Sequence, residues 1–101
     1  MTLGTRKTCA DMTEVREEID ALDRAIVALL ADRLHYIDEA ARIKQSRDQV
    51  RDEARIKDVL SKVEAEARKL GAEPKVVLKA YRALVEASIA HEFFIFDAVE
   101  T

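Results

Sequence analysis

Arg33 and Lys44 are two long cationic side chains eleven residues apart. On a helix that spacing comes to about 20° past three full turns, so both leave one face, about 16 Å apart along the axis. Side chains of this length can converge on one ligand between them. Arg16 lies seventeen residues before Arg33, roughly 100° around the helix and about 25 Å away. It cannot join that site within its own chain, but in an antiparallel or crossed dimer it can enter the partner's. Two further pairs are helical neighbours: Asp52 with Arg55, three apart, and Ser88 with Glu92, four apart. A plain ion-pair network, Arg33 with Glu92 and Arg55 with an acid on the first helix, would satisfy these charges. Taken as a set, however, the inward cations outnumber the acids. That balance favours a pocket for a small polyanion, whose carboxylates arginine grips through paired N–H groups.

Three helices must position these groups. Val15, Ile19, Leu22, Ile26 and Leu29 recur in alternating steps of four and three, the stripe of one helix face. In register the stripe next meets Arg33, then Tyr36 or Ile37, Ala40, and Ile43 or Lys44, so a guanidinium interrupts an apolar seam and requires an anion opposite it. This first helix is expected from Thr13 to about Lys44, capped by Asp11 or Thr13, with Glu14 and Glu17 near its positive end. The polar run Gln45 to Asp52 reads as a loop or frayed turn. Asp52 to Leu70 carries Ile56, Val59, Leu60, Val63 and Ala67 on one face and closes at Gly71, where a left-handed residue is needed. Pro74 suits the first turn of a third helix, expected to about Ala98, with Val77, Leu78, Tyr81, Leu84, Val85, Ser88, Ile89 and Glu92 at helical spacing. Residues 1–12 show no periodicity and read as a flexible arm; residues 13–101 read as a single helical domain.

Some thirty residues of helix span roughly 45 Å, whereas a compact domain of this size has a radius of gyration of about 13 Å. One chain cannot cover both ends of an apolar stripe that long. A second copy is the simplest cover, and an obligate homodimer is expected.

Composition agrees with an all-α fold. Of 101 residues 49% are apolar, yet there are only two Gly and one Pro and no Trp, a bias toward helix. A net charge of −3 without a lysine-rich tract argues against a nucleic-acid partner. Cys9 is the lone cysteine, so no intrachain disulfide or cysteine zinc cluster is available. The N-terminus lacks a signal-peptide core and no run has membrane-spanning length, so the cytoplasm is the expected compartment. His35 and His91 lack metal-ligand spacing, and neither a metal nor a cofactor is expected. Tyr36 and Tyr81 read as core or boundary aromatics, and Phe93 to Phe96 as a dimer contact.

The run VREEIDALDRAIVALLADR, Lys44 within ARIK, VRDEAR at 50–55 and EASIAHE at 86–92 together resemble the all-helical chorismate mutases, over Thr13 to Glu92. The resemblance implies an intertwined homodimer of three-helix chains, with two equivalent sites each walled by both subunits. Chorismate, a dicarboxylate enol ether, would be held there in a folded shape and rearrange to prephenate. Arg33 and the partner's Arg16 would bind its carboxylates, assisted by Arg55 and Ser88. Lys44 and the residue at 92 would donate to the ether oxygen from opposite sides, and Asp52 would contact the ring hydroxyl. A pericyclic step needs no nucleophile, base or metal; it needs one reactive conformer and donors aimed at the oxygen that gains charge.

The chain departs from that family's pattern twice. Many members carry Gln where this chain has Glu92, and an ionised carboxylate cannot donate. Glu92 is therefore expected to work protonated, a state favoured by burial and a bound dianion and opposed by Arg33 and Lys44. Ile56 stands where typical mutases carry Glu. With the N-terminal TCADMTEVR, this is closer to isochorismate-pyruvate lyase, the alternative reading, against which Asp52 weighs. A non-catalytic helical dimerisation module is a third reading. It gives no reason for Arg16, Arg33, Lys44 and Arg55 to stand in register. No additional domain for an amino-acid effector is evident, so end-product inhibition within the chain is not expected.

Overall fold

A computed structural model describes residues 6–100 of the chain. It contains three helices: α1 (Met12–Ile43), α2 (Glu53–Lys69) and α3 (Pro74–Glu100), with a short 3-10 turn at Arg47–Gln49 between α1 and α2. The described residues contain no strand. The all-helical expectation holds, with the first helix the longest at 32 residues. By its internal contacts the chain divides into two compact units, up to Arg33 and from Leu34 onward.

In the first unit, α1 begins where its caps dictate. Asp11 Oδ1 accepts the Glu14 N–H at 2.9 Å, and Glu14 reaches back to accept from the Ala10 N–H at 2.9 Å, so two otherwise unpaired donors are satisfied reciprocally. Residues 1–5 of the expected arm lie outside the described residues. Of the remainder, Lys7 pairs with Glu18 at 3.3 Å. The stripe predicted from spacing is real and largely bare: Ile19, Leu22, Ile26 and Leu29 are each half or more exposed.

In the second unit, α2 and α3 form a helical hairpin, and its core collects Ala41, Val50 and Phe96 with Ile89, Phe93 and Ile95 packed against them. Val50 is 3% exposed, so the α1–α2 connection is pinned by one buried aliphatic side chain within an otherwise polar run. That run is more ordered than a frayed turn: Gln49 Oε1 accepts the N–H groups of Gln45 and Ser46 at 2.8 and 3.2 Å. Asp52 caps α2, accepting the Arg55 N–H at 3.0 Å.

The α2–α3 turn closes as its sequence predicts. The Ala72 N–H donates to the Ala67 carbonyl at 2.8 Å and the Gly71 N–H to the Arg68 carbonyl at 3.2 Å, the paired bonds of a Schellman end. Gly71 sits at φ +72°, and a β-carbon there would meet nothing within 4 Å. The cost of Gly71→Ala is therefore backbone strain alone, about 1–2 kcal/mol. A fall of that size is expected from urea unfolding, with no change in the slope of the transition.

Candidate active site

Lys44, Asp52, Arg55, Ser88 and Glu92 all belong to the second unit; Lys44 meets Glu92 directly, and Lys44 and Asp52 line one pocket. Lys44 follows the last residue of α1, its N–H still donating to the Ala40 carbonyl at 3.0 Å. Its ammonium donates to Glu92 Oε2 at 2.7 Å and to the Val50 carbonyl at 3.3 Å. Glu92 is 4% exposed and Ser88 3%; both lie on the buried side of α3, as their spacing among apolar residues predicts. A buried carboxylate without its ammonium would be strongly disfavoured, so Lys44 and Glu92 hold one another in place.

The other members are held by local bonds. Ser88 Oγ donates to the Leu84 carbonyl one turn back at 2.8 Å, a common resting place for a helical hydroxyl. Asp52 uses one carboxylate oxygen as the cap of α2. Arg55 Nη1 donates to Asp58 Oδ2 at 2.7 Å, and Lys62 donates to the same oxygen at 3.0 Å. Lys62 and then Arg55 hold the Asp58 carboxyl below the usual carboxylate range. In the plain ion-pair reading Arg55 met an acid on the first helix; its acid is on its own helix, where a residue three positions on is the nearest neighbour.

Arg16 and Arg33 belong to the first unit, both on α1, Arg16 exposed and Arg33 half-buried. An open pocket of about 600 Å³ lies along the α1–α2 connection, lined by residues that include Lys44, Gln45, Gln49, Arg51 and Asp52. That is a volume suited to a small molecule. Among the described residues no group of three or more His, Cys, Asp or Glu is placed to hold a metal.

Two arginines that spacing did not single out fasten the connection. Arg51 forks onto Glu86 with bonds of 3.0 and 2.9 Å and donates to Glu53 at 2.6 Å. Arg47 donates to Asp97 at 3.0 Å while its guanidinium lies 4.5 Å from the centre of the Phe93 ring, in cation–π range. Phe93, read from sequence as a dimer contact, thus stacks within its own chain. His91 also meets Asp38 at 2.7 Å, tying α3 to the last turns of α1. Spacing along the chain gave no cue to either Arg51 or Arg47, because their partners lie 35 and 50 residues away.

Compared with known protein families, residues 15–93 match chorismate mutase type II. No curated protein gives a significant match to the chain. The fold and this match set the chain among the all-helical isomerases. It belongs to the chorismate mutase type II family. The activity that goes with this membership is the rearrangement of chorismate to prephenate.

Proposed function

We propose that the chain works as a homodimer in which each site holds chorismate folded between cations of both subunits. Arg33 and the partner's Arg16 bind the two carboxylates. Arg55 swings from Asp58 to assist them, and Ser88 turns its hydroxyl from Leu84 to do the same. Asp52 takes the ring hydroxyl with the carboxylate oxygen its cap bond leaves over. Lys44 donates to the ether oxygen as the C–O bond breaks, and Glu92 donates from the other side. The charge that develops on that oxygen is met by groups already fixed on helices, so little reorganisation accompanies the step. The shikimate pathway fits the family, and we place the enzyme in the cytoplasm, serving aromatic amino acid biosynthesis. Among the described residues no helix is long and apolar enough to cross a membrane.

The observation that carries these roles is the Lys44–Glu92 pair, an ammonium 2.7 Å from a carboxyl that is itself 4% exposed. A protonated carboxyl keeps one acceptor oxygen and gains one O–H donor. Once bound substrate brings a proton onto Glu92, the carboxyl can therefore still accept from Lys44 while donating to substrate. In Glu92→Gln the amide supplies an N–H donor of its own, so that variant is expected to keep at least the parent kcat, and a kcat lowered about tenfold or more in it rules the role out. The reaction itself is read from the loss of chorismate absorbance. Isochorismate is assayed in parallel for salicylate fluorescence, because half-buried Ile56 stands where typical mutases carry Glu; turnover of isochorismate alone would reassign the substrate.

A further inference from the structure

Arg51 is left unused by the roles above, yet it makes a two-bond contact from the α1–α2 connection to α3. Its guanidinium lies across Glu86 of α3, Nη1 to Oε2 at 3.0 Å and Nη2 to Oε1 at 2.9 Å, and its Nε donates to Glu53 Oε1 at 2.6 Å. A two-bond fork fixes direction as well as distance, which a lysine cannot do. The guanidinium holds the Glu86 carboxyl below the usual carboxylate range.

What this fork restrains is the peptide unit joining Val50 to Arg51. On one side, the Val50 carbonyl accepts from the Lys44 ammonium at 3.3 Å. On the other, the Arg51 side chain is tied to α3. The Val50 side chain is buried with Ala41 and Phe96, so this peptide has little room to shift without disturbing Lys44. Glu86 and Glu92 are six residues apart on α3, about 9 Å along its axis. That helix therefore grips the connection twice, at Arg51 through Glu86 and at Lys44 through Glu92.

We propose that Arg51 is a positioning residue for Lys44: forked onto Glu86, it anchors the peptide whose carbonyl aims the Lys44 ammonium. Arg51 does not touch substrate. This rests on the reading of Lys44 as the donor to the breaking ether bond. Both charges of the fork are about half exposed, and pairs of that kind add little to global stability. A second clamp at Arg47 and Asp97 holds the same connection. The effect of losing Arg51 therefore falls on the rate and not on folding.

The test uses the full chain carrying Arg51→Gln, Glu86→Gln or Arg51→Lys. Arg51→Gln and Glu86→Gln are each expected to lower kcat roughly tenfold, the scale of a small misplacement of a catalytic group. KM stays within about twofold, since ground-state binding is not touched, and the urea midpoint is unchanged. Arg51→Lys keeps the charge but only one bond to Glu86, and recovers part of kcat. A second readout needs no turnover. The 13Cε resonance of Lys44, identified by its loss in Lys44→Met, is expected to move toward that of exposed lysines in Arg51→Gln and to return partway in Arg51→Lys. A raised KM with kcat intact, or a Lys44 resonance unmoved in Arg51→Gln, overturns the proposal. A parent chain without mutase activity overturns the functional reading instead, and the resonance still decides the role of Arg51.

Discussion

Lys44→Met is expected to give a chain that folds and dimerises but rearranges chorismate about 10²–10³-fold more slowly in kcat, the usual consequence of removing one donor to a developing oxyanion. Methionine keeps the length and apolar stem of lysine and removes only the ammonium. A second effect must be kept apart from the first. The substitution leaves Glu92, 4% exposed, without its cation, and breaking a buried pair from one side costs about 3–5 kcal/mol. Lys44 is the more exposed member, its side chain 28% accessible, so the lower end of that range is expected. Adding Glu92→Gln removes the stranded charge. The double variant should regain most of the lost urea midpoint and none of the lost rate, because stability depends on the pair being matched whereas catalysis depends on the ammonium. A Lys44→Met chain within tenfold of the parent kcat removes Lys44 from the reaction.

That separation bears on how much the sequence could reveal. Helix periodicity marked the stripe of α1 and the buried side of α3. Because side chains three and four apart share a face, it also placed Ser88 and Glu92 among buried apolar residues. Local chemistry marked the α2–α3 turn: Gly71 at φ +72° and Pro74 at the start of α3 follow from which residue types tolerate each backbone position, whereas Asp52, read as the first residue of α2, is its cap. The order of the connection was not legible. Gln45 to Asp52 has no period, and its structure comes from Gln49 bonding two backbone N–H groups, Val50 entering the core, and Arg47 and Arg51 reaching Asp97 and Glu86. Each of these is fixed by tertiary placement, which spacing along one helix cannot encode. Arg55 shows the converse limit. Its place on α2 was legible, but its partner Asp58, three residues on, lies on its own helix, where the sequence reading looked for an acid on α1.

The exposed stripe of α1 leads to the second large effect. Ile19, Leu22, Ile26 and Leu29 are 50–56% exposed, spaced so that they form one continuous apolar band, the kind of surface an interface covers. In the proposed homodimer a second copy covers this band under two-fold symmetry, which would put Arg16 of one chain and Lys44 of the other in the same site and make the two sites equivalent. Arg16→Ala and Lys44→Met are then each nearly inactive alone. When the two variant chains are unfolded together and refolded at equal amounts, half of the dimers are expected to be mixed. In a mixed dimer one site carries both substitutions, whereas the other carries neither, since its Lys44 comes from the Arg16→Ala chain and its Arg16 from the Lys44→Met chain. Activity should therefore return to about a quarter of the parent level, on the statistics of two-fold pairing. The return should be blocked when either variant also carries Ile26→Glu, which sets a charge in the middle of the band. If Arg16 acts within its own chain, each chain of the mixture lacks one essential cation and the mixture stays as inactive as its parts.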